Sequence, residues 1–177
     1  MPWMGDRSVI HTYVDADFAG CKVSRKSTVG GCVLWGGGMV KSWSRTLTTL
    51  ALSTGEAELG AMAKGAAESE GILAILRDFS LDANITISSD ASAAIGITKR
   101  LGLGKVRHLS VADLWIQQRV RKGEITIDKV AGSVNPSDLM TKSLARPRME
   151  ALAKIMNVLY FVGNAVAECV NIPIGGK

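Results

Sequence analysis

Residues 30–45 read Gly-Gly-Cys-Val-Leu-Trp-Gly-Gly-Gly-Met-Val-Lys-Ser-Trp-Ser-Arg, two apolar runs joined by three consecutive glycines. Glycine adopts the positive φ angles of tight hairpin turns without steric cost, so this pattern predicts two antiparallel strands, Gly30–Trp35 and Met39–Arg45. Residues 8–16, further upstream, are rich in β-branched and aromatic side chains and predict another strand. The fold should therefore start with a three-stranded antiparallel meander.

Helical patterns alternate with short apolar strands after the meander. Ser53 and Glu56 have capping-box spacing and precede an alanine-rich stretch, which predicts a long helix that ends near Phe79. Three hairpin-linked strands followed by alternating helices and strands predict an α/β fold, with a five-stranded mixed sheet and helices packed on it. The later elements are predicted as strands 84–88 and 124–130 and helices 91–99, 108–122 and 147–160, with a further helix beginning at Asn135-Pro136.

Composition limits the classes of protein to which this chain can belong. With 177 residues, 47% of them hydrophobic, it is a globular protein large enough to bury a core. A net charge of +5 suits an enzyme that binds a polyanion, although ordinary soluble proteins often carry such a charge. Widely spaced Cys21, Cys32 and Cys169 predict neither disulfides nor zinc, and two histidines exclude a histidine-rich metal site. Without a signal-peptide pattern or a membrane-length apolar stretch, the sequence predicts an intracellular protein and no membrane partner.

Four acidic residues lie in separate segments from which carboxylates could converge: Asp15, Glu58, Asp90 and Asp138. Asp15 and Asp90 lie at the ends of predicted strands, and the other two lie in the first turns of predicted helices. Hard divalent cations prefer oxygen ligands, and two such ions can clamp an in-line phosphoryl displacement. The set therefore predicts a carboxylate site for divalent metal ions.

Local roles compete with this interpretation. Asp15 could form an Asx-type turn, Asp90 could cap the following helix, and Asp138 could complement a helix dipole at position N3. Glu56 and Glu58 are about 200° apart around their helix, so only one of them can face the site. We choose Glu58, because the capping box engages Glu56 with the backbone amide of the cap residue.

Several blocks of sequence, spread over about residues 15–144, carry a family resemblance. They are Asp15–Gly20, Arg25–Thr28, Ser42–Ser44, Ala51–Thr54, Glu56–Glu58, Ser89-Asp90, Lys105–Leu109 and Asn135–Lys142. These blocks resemble the ribonuclease H domain that ends the polyprotein of copia-type LTR retrotransposons. A ribonuclease H-like domain is accordingly expected over residues 1–144, followed by a C-terminal helix and tail of unknown role over 145–177.

The resemblance implies an endonuclease that hydrolyses the RNA strand of RNA–DNA hybrids. Asp15, Glu58, Asp90 and Asp138 would be its catalytic residues and would bind two Mg²⁺ ions, which Mn²⁺ can replace. The partners would be the hybrid and an upstream reverse-transcriptase domain, in the cytoplasm, the nucleus or a virus-like particle. A catalytically silent nucleic-acid-binding remnant and another nuclease of the same fold are the alternatives.

Substrate contacts are expected outside the four acids. Ser53 and Thr54 could seat a DNA phosphate at the positive end of their helix, or could only cap it. Arg25 and Lys26 could contact phosphates, or could lie on a solvated edge that discourages strand pairing.

One accessory group of the family is missing. Many cellular enzymes of this fold carry a mobile histidine shortly before the last aspartate, where this sequence has Ser133. Proton transfer to the leaving group would then depend on water, or on His108 as a candidate accessory residue.

Overall fold

Five strands form a mixed sheet in the described part of the chain. The structure is a computed structural model that describes residues 5–21, 23–48, 50–100 and 111–158, without the side chains of 111–114. The strands are β1 (Val9–Asp17), β2 (Thr28–Trp35), β3 (Gly38–Thr46), β4 (Asn84–Ser89) and β5 (Ile125–Lys129). Across the sheet the order is β3-β2-β1-β4-β5, with β1 to β3 antiparallel and with β4 and β5 parallel to β1. The predicted mixed sheet is therefore confirmed.

The glycine-rich hairpin has the predicted form. Gly36 and Gly37 have φ angles of 59° and 81°, in the left-handed region that glycine favours. Gly38 already belongs to β3, so the turn between the two strands is two residues long.

Helices pack on both faces of this sheet. The first begins after Ser53, as predicted from the capping box. None of the helices in the described ranges is both long and apolar enough to cross a bilayer. The helices are α1 (Thr54–Asp78), α2 (Ser92–Lys99), α3 (Val111–Arg121), α4 (Asp138–Thr141) and α5 (Arg146–Ile155), and a 3-10 turn, Gly132–Val134, precedes α4.

Helix α1 lies close against β1, and the main core lies between them. Gly65 permits this approach, because a β-carbon there would lie 2.6 Å from Val14 Cγ1. The hydroxyl oxygens of Thr12 and Ser69 lie 2.6 Å apart in a buried hydrogen bond across the same contact. The largest fully buried core side chains include Ile10, Leu59, Met62, Ile87 and Ile116.

The other face of the sheet is covered by α4 and by Met156, which directly follows α5. Strand residues alternate between the two faces, so Cys32 and Leu34 point away from the core that holds Val33. Met156 packs with them in a second, smaller apolar cluster.

The last helices differ from the prediction in their limits. The helix expected at Asn135-Pro136 begins only at Asp138, because Asn135 forms a buried turn instead. Its side-chain amide donates to the Val14 carbonyl oxygen at 3.1 Å, and its side-chain oxygen accepts from Ser137. Helix α5 ends at Ile155 and not near residue 160. The start predicted for α3 at residue 108 lies outside the described residues.

Candidate active site

Asp15 lies near the end of β1, at the edge of the sheet where the parallel strands end. Its cross-strand partner is Gly30, and α4 lies directly over that glycine. A β-carbon on Gly30 would come within 2.5 Å of Met140 Cβ and 2.8 Å of Thr141 Cγ2. The absence of a side chain therefore lets α4 reach Asp15, whose Oδ2 accepts a hydrogen bond from the Thr141 hydroxyl. Asp15 is buried inside a strand and does not belong to an Asx-type turn.

Asp90 directly follows β4, which pairs in parallel with β1. The last paired residues are Tyr13 and Ser88, and two more residues along each strand place Asp90 beside Asp15. The cap position of α2 is held by Ala91 and has no side-chain cap bond, so Asp90 is not the helix cap. Strand pairing alone thus brings two carboxylates together.

Glu58 is the glutamate of α1 that faces these aspartates. It is buried, with 4% of its surface exposed, whereas Glu56 lies in the capping turn. The capping detail differs from the prediction, because the Glu56 carboxylate accepts from the amide of Leu52 at 2.8 Å and not from that of Ser53. Ser53 caps α1 as expected, accepting from the Glu56 amide at 3.2 Å.

Asp15, Glu58 and Asp90 form a carboxylate trio. One oxygen from each lies within 4.8 Å of the others. Burial, together with the charges of Asp15 and Asp90, raises the pKa of Glu58 to about 8. Burial and the charge of Asp15 also raise the pKa of Asp90. The structure therefore shows a site in which negative charge is poorly compensated.

This donor set fits a hard divalent cation. All three groups offer carboxylate oxygens, which Mg²⁺ and Mn²⁺ accept as ligands. Within the described residues, Glu58 Oε2 is buried and has no hydrogen-bond partner. Such an atom is costly to bury unless something else satisfies it, and a bound cation would do so.

Asp138 borders the trio but is not part of it. It is the first residue of α4, not the third as predicted. Both of its carboxylate oxygens pair with positively charged side chains. Lys142 Nζ lies 2.7 Å from Oδ1, and Arg148 Nη2 lies 3.2 Å from Oδ2. Lys142 Nζ also lies 3.1 Å from Asp15 Oδ1, so it bridges the two aspartates. Burial opposes the charge of Lys142, but its bonds with Asp138 and Asp15 outweigh that and raise its pKa.

Arg148 was not anticipated from the sequence. Its guanidinium donates to the carbonyl oxygens of Ser133 and Gly132, the latter at 2.8 Å, as well as to Asp138. The loop that it holds contains Ser133, the position at which the family resemblance led us to look for a histidine. A β-carbon on Gly132 would lie 2.8 Å from Asp90 Oδ2, so this loop passes directly over the trio. No local sequence signal connects an arginine in α5 with that loop.

The residues predicted to bind substrate lie outside the trio. Ser53 and Thr54 are exposed at the start of α1, and the next residue, Gly55, lies beside Ala93 of α2. The first turns of the two helices therefore meet near Asp90, whereas the predicted phosphate role of Ser53 and Thr54 stays a prediction.

The basic pair predicted to contact phosphates lies in the loop between β1 and β2. Arg25 is exposed and has a φ angle of 56°, and Lys26 is half-buried. Their role also stays a prediction. The candidate accessory residue His108 lies outside the described residues.

Solved structures with the same architecture define the fold. The N-terminal RNase H domain of a Mycobacterium tuberculosis protein, solved as a fusion with maltose binding protein, matches with a TM-score of 0.52 and 14% identity. The match covers 83% of this chain and 97% of that one. The chain has the ribonuclease H fold. LC11-RNase H1, isolated from compost by a metagenomic approach, matches this fold over the same shares of the two chains, with a TM-score of 0.52 and 13% identity.

A sequence relative agrees with the family resemblance. This chain is 27% identical, over 156 residues, to a retrovirus-related Pol polyprotein from transposon TNT 1-94 of Nicotiana tabacum. The match covers 87% of the chain but only 12% of the relative. No protein-family model matches the sequence. The predicted resemblance to retrotransposon polyproteins is thus confirmed.

Proposed function

We propose that this chain is a metal-dependent endonuclease that hydrolyses the RNA strand of RNA–DNA hybrids. The observation that carries the proposal is the trio of Asp15, Glu58 and Asp90, with ligand atoms within 4.8 Å of one another and one buried oxygen of Glu58 unpartnered. The ribonuclease H fold and the Pol relative support the same class of reaction. A remnant that only binds nucleic acid would not need to keep three buried or half-buried carboxylates together.

In this proposal the four acids have unequal roles. Asp15, Glu58 and Asp90 would hold Mg²⁺, or Mn²⁺ in its place, and Asp138 would join them from α4. Held by these residues, two such ions would supply an activated water for in-line attack on phosphorus and positive charge for the leaving 3′ oxygen. The Thr141 hydroxyl orients Asp15 through its hydrogen bond to Oδ2. The core around α1 keeps water away from Glu58, which strengthens its interaction with a bound cation.

Substrate binding would use the phosphate backbone. Free amides and the positive helix end at Ser53 and Thr54 favour an anion, and α1 begins next to the trio. Arg25 and Lys26 add positive charge to the loop that follows β1. Such contacts, with recognition of the 2′-hydroxyls, would let the protein distinguish a hybrid from duplex DNA.

The proposed activity belongs to a longer polyprotein in which a reverse transcriptase produces the hybrid. This placement is supported by the Pol relative, of which the chain spans about an eighth. An upstream polymerase domain would then help to hold the substrate, and the isolated chain would bind hybrids more weakly than the polyprotein does.

The test is a cleavage assay with labelled RNA–DNA hybrid, duplex RNA and duplex DNA, each with and without MgCl₂. We expect RNA-strand cleavage of the hybrid alone and only with the metal. Asp90→Asn should lower the rate by at least about a hundredfold, because it removes a ligand charge. Asp128→Asn, an exposed aspartate of β5, is the matched control and should cleave at the wild-type rate.

Three results would contradict the proposal. Cleavage by Asp90→Asn at the wild-type rate would exclude the trio as the catalytic site. Binding of the hybrid without cleavage would favour the silent remnant, and cleavage of duplex DNA or duplex RNA would favour a different nuclease of this fold.

A further inference from the structure

Lys142 lies between two of the acids that the proposed chemistry requires. Its ammonium nitrogen is 3.1 Å from Asp15 Oδ1 and 2.7 Å from Asp138 Oδ1. Asp15 belongs to the trio, so an internal positive charge lies at the border of the proposed metal site.

The charges around Asp15 explain why a cation is needed there. Asp15 is 1% exposed, so water cannot solvate its carboxylate well, and two more carboxylates lie nearby. Carboxylates this close repel one another unless a cation compensates them. Among the described residues, Lys142 is the one that forms an ion pair with a member of the trio.

Lys142 can also leave this position. Its side chain is 40% exposed, and lysine is a compact charge on a flexible four-carbon stem. Arg148, in contrast, is held by two backbone carbonyl oxygens in addition to Asp138 Oδ2. If the lysine swings into solvent, Arg148 still pairs with Asp138 Oδ2, and Oδ1 loses its ion pair.

We propose that Lys142 is an internal counter-ion of the metal site, which neutralises Asp15 and Asp138 when no divalent cation is bound and competes with that cation. The lysine would thereby set the metal concentration at which the site fills. This inference rests on the proposed function, because it takes the trio to be a metal site.

The test measures thermal unfolding of the whole chain during a titration with MgCl₂, without any substrate. Lys142→Met removes the competing charge but keeps much of the apolar stem. We expect it to melt below the wild type without metal and to be stabilised with a MgCl₂ midpoint about tenfold lower, because an attraction between charges a few ångströms apart is lost.

Matched variants separate competition from a general effect of charge. Lys142→Arg keeps the charge and should retain a midpoint within about twofold of the wild type. Lys64→Met removes a lysine of similar exposure that pairs with Glu68 four residues away, and its MgCl₂ midpoint should equal that of the wild type. Asp90→Asn should lose most of the MgCl₂ stabilisation, which ties the signal to the trio.

The possible outcomes distinguish the counter-ion role of Lys142 from the metal site itself. If the wild type is stabilised by MgCl₂ and Lys142→Met has the same midpoint, the counter-ion role is wrong and the metal site stands. If MgCl₂ stabilises neither protein, both proposals are wrong. If Lys142→Met and Lys142→Gln fail to fold even in saturating MgCl₂, the counter-ion role is also overturned, because a bound cation should replace the lost ammonium.

Discussion

The two sides of the acidic site are built differently. On one side, Asp15, Glu58 and Asp90 are fixed by a central strand, a long helix and the end of a second strand, and Glu58 has one oxygen without a partner. On the other side, Asp138 lies on a helix of four residues and contacts two cations. We call the second the compensated side, because each oxygen of Asp138 pairs with a positively charged side chain, whereas on the first side, among the described residues, Lys142 pairs with Asp15 alone.

The largest difference between the two sides should be seen in how the stability of the metal-free protein depends on pH. Glu58 has a pKa of about 8 in the folded chain and an ordinary value of 4.5, so the folded state binds its proton more tightly. Stability is therefore highest at the lower end of that interval and falls as the pH rises towards 8. We expect a loss on the order of 3 kcal/mol between pH 5.5 and 8.5, measured by urea unfolding with EDTA present.

Two variants identify the group responsible for this loss. Glu58→Gln should remove most of the fall and should be more stable than the wild type at pH 8.5. Glu56→Gln, two residues earlier on the same helix, should keep the full pH dependence. If the free energy of unfolding falls equally with pH in Glu58→Gln and in the wild type, ionisation of Glu58 is not the cause of the loss.

A smaller effect is expected where the two sides touch. Gly30→Ala would place a β-carbon 2.5 Å from Met140 Cβ and push α4 away from Asp15. We expect a destabilisation of about 2 kcal/mol by urea unfolding, together with slower hybrid cleavage, because overpacking shifts the helix that carries Asp138.

The matched control for this change is Gly71→Ala on α1. A β-carbon there would meet no atom within 4 Å, so alanine should stabilise the chain by about 0.5–1 kcal/mol. A Gly30→Ala variant as stable as the wild type would mean that α4 does not depend on this contact.

The smallest effect concerns the compensated side alone. Arg148→Met removes the bonds to Asp138 and to the loop around Gly132 and Ser133, and it should cost about 1 kcal/mol or less. Amide hydrogen exchange in residues 130–135 should become about fivefold faster. Arg146→Met, which removes an ion pair with Glu150 on the same helix, should leave that loop unchanged. Unchanged exchange in Arg148→Met would show that the arginine does not hold the loop.

Local sequence patterns were sufficient to predict the sheet and the trio's glutamate. The glycine hairpin and the Ser53 cap depend on residues a few positions apart, and both appear as predicted, although Glu56 accepts from the Leu52 amide and not from the Ser53 amide. Helix geometry allowed only one of Glu56 and Glu58 to face the site, the capping role of Glu56 favoured Glu58, and the structure places Glu58 with the two aspartates. The catalytic roles of these residues stay predictions until cleavage is measured.

The compensated side could not be predicted, because it depends on contacts between distant segments. Asn135 is bound to Val14, 121 residues earlier, and this contact delays the start of α4 until Asp138. Lys142 meets Asp15 across 127 residues, a contact that neither periodicity nor capping preference encodes. The contacts of Arg148 with Asp138 and with the loop around Gly132 and Ser133 could not be predicted either, because no local pattern links α5 to that loop.

The position of α5 also bears on the domain limit. The boundary predicted at residue 144 stays a prediction, but Leu152 and Met156 are buried and Arg148 reaches Asp138. We propose that the folded unit continues at least to Met156.

This arrangement affects how a shortened chain would behave. Deletion after residue 144 would leave all four acids in the sequence, yet it would uncover Cys32 and Leu34 on the sheet and release the loop over Asp90. Such a fragment would aggregate or lose activity for reasons unrelated to its carboxylates. Loss of function on truncation would therefore say nothing about which residues perform the chemistry, and an inactive fragment should not be taken for a degenerate enzyme.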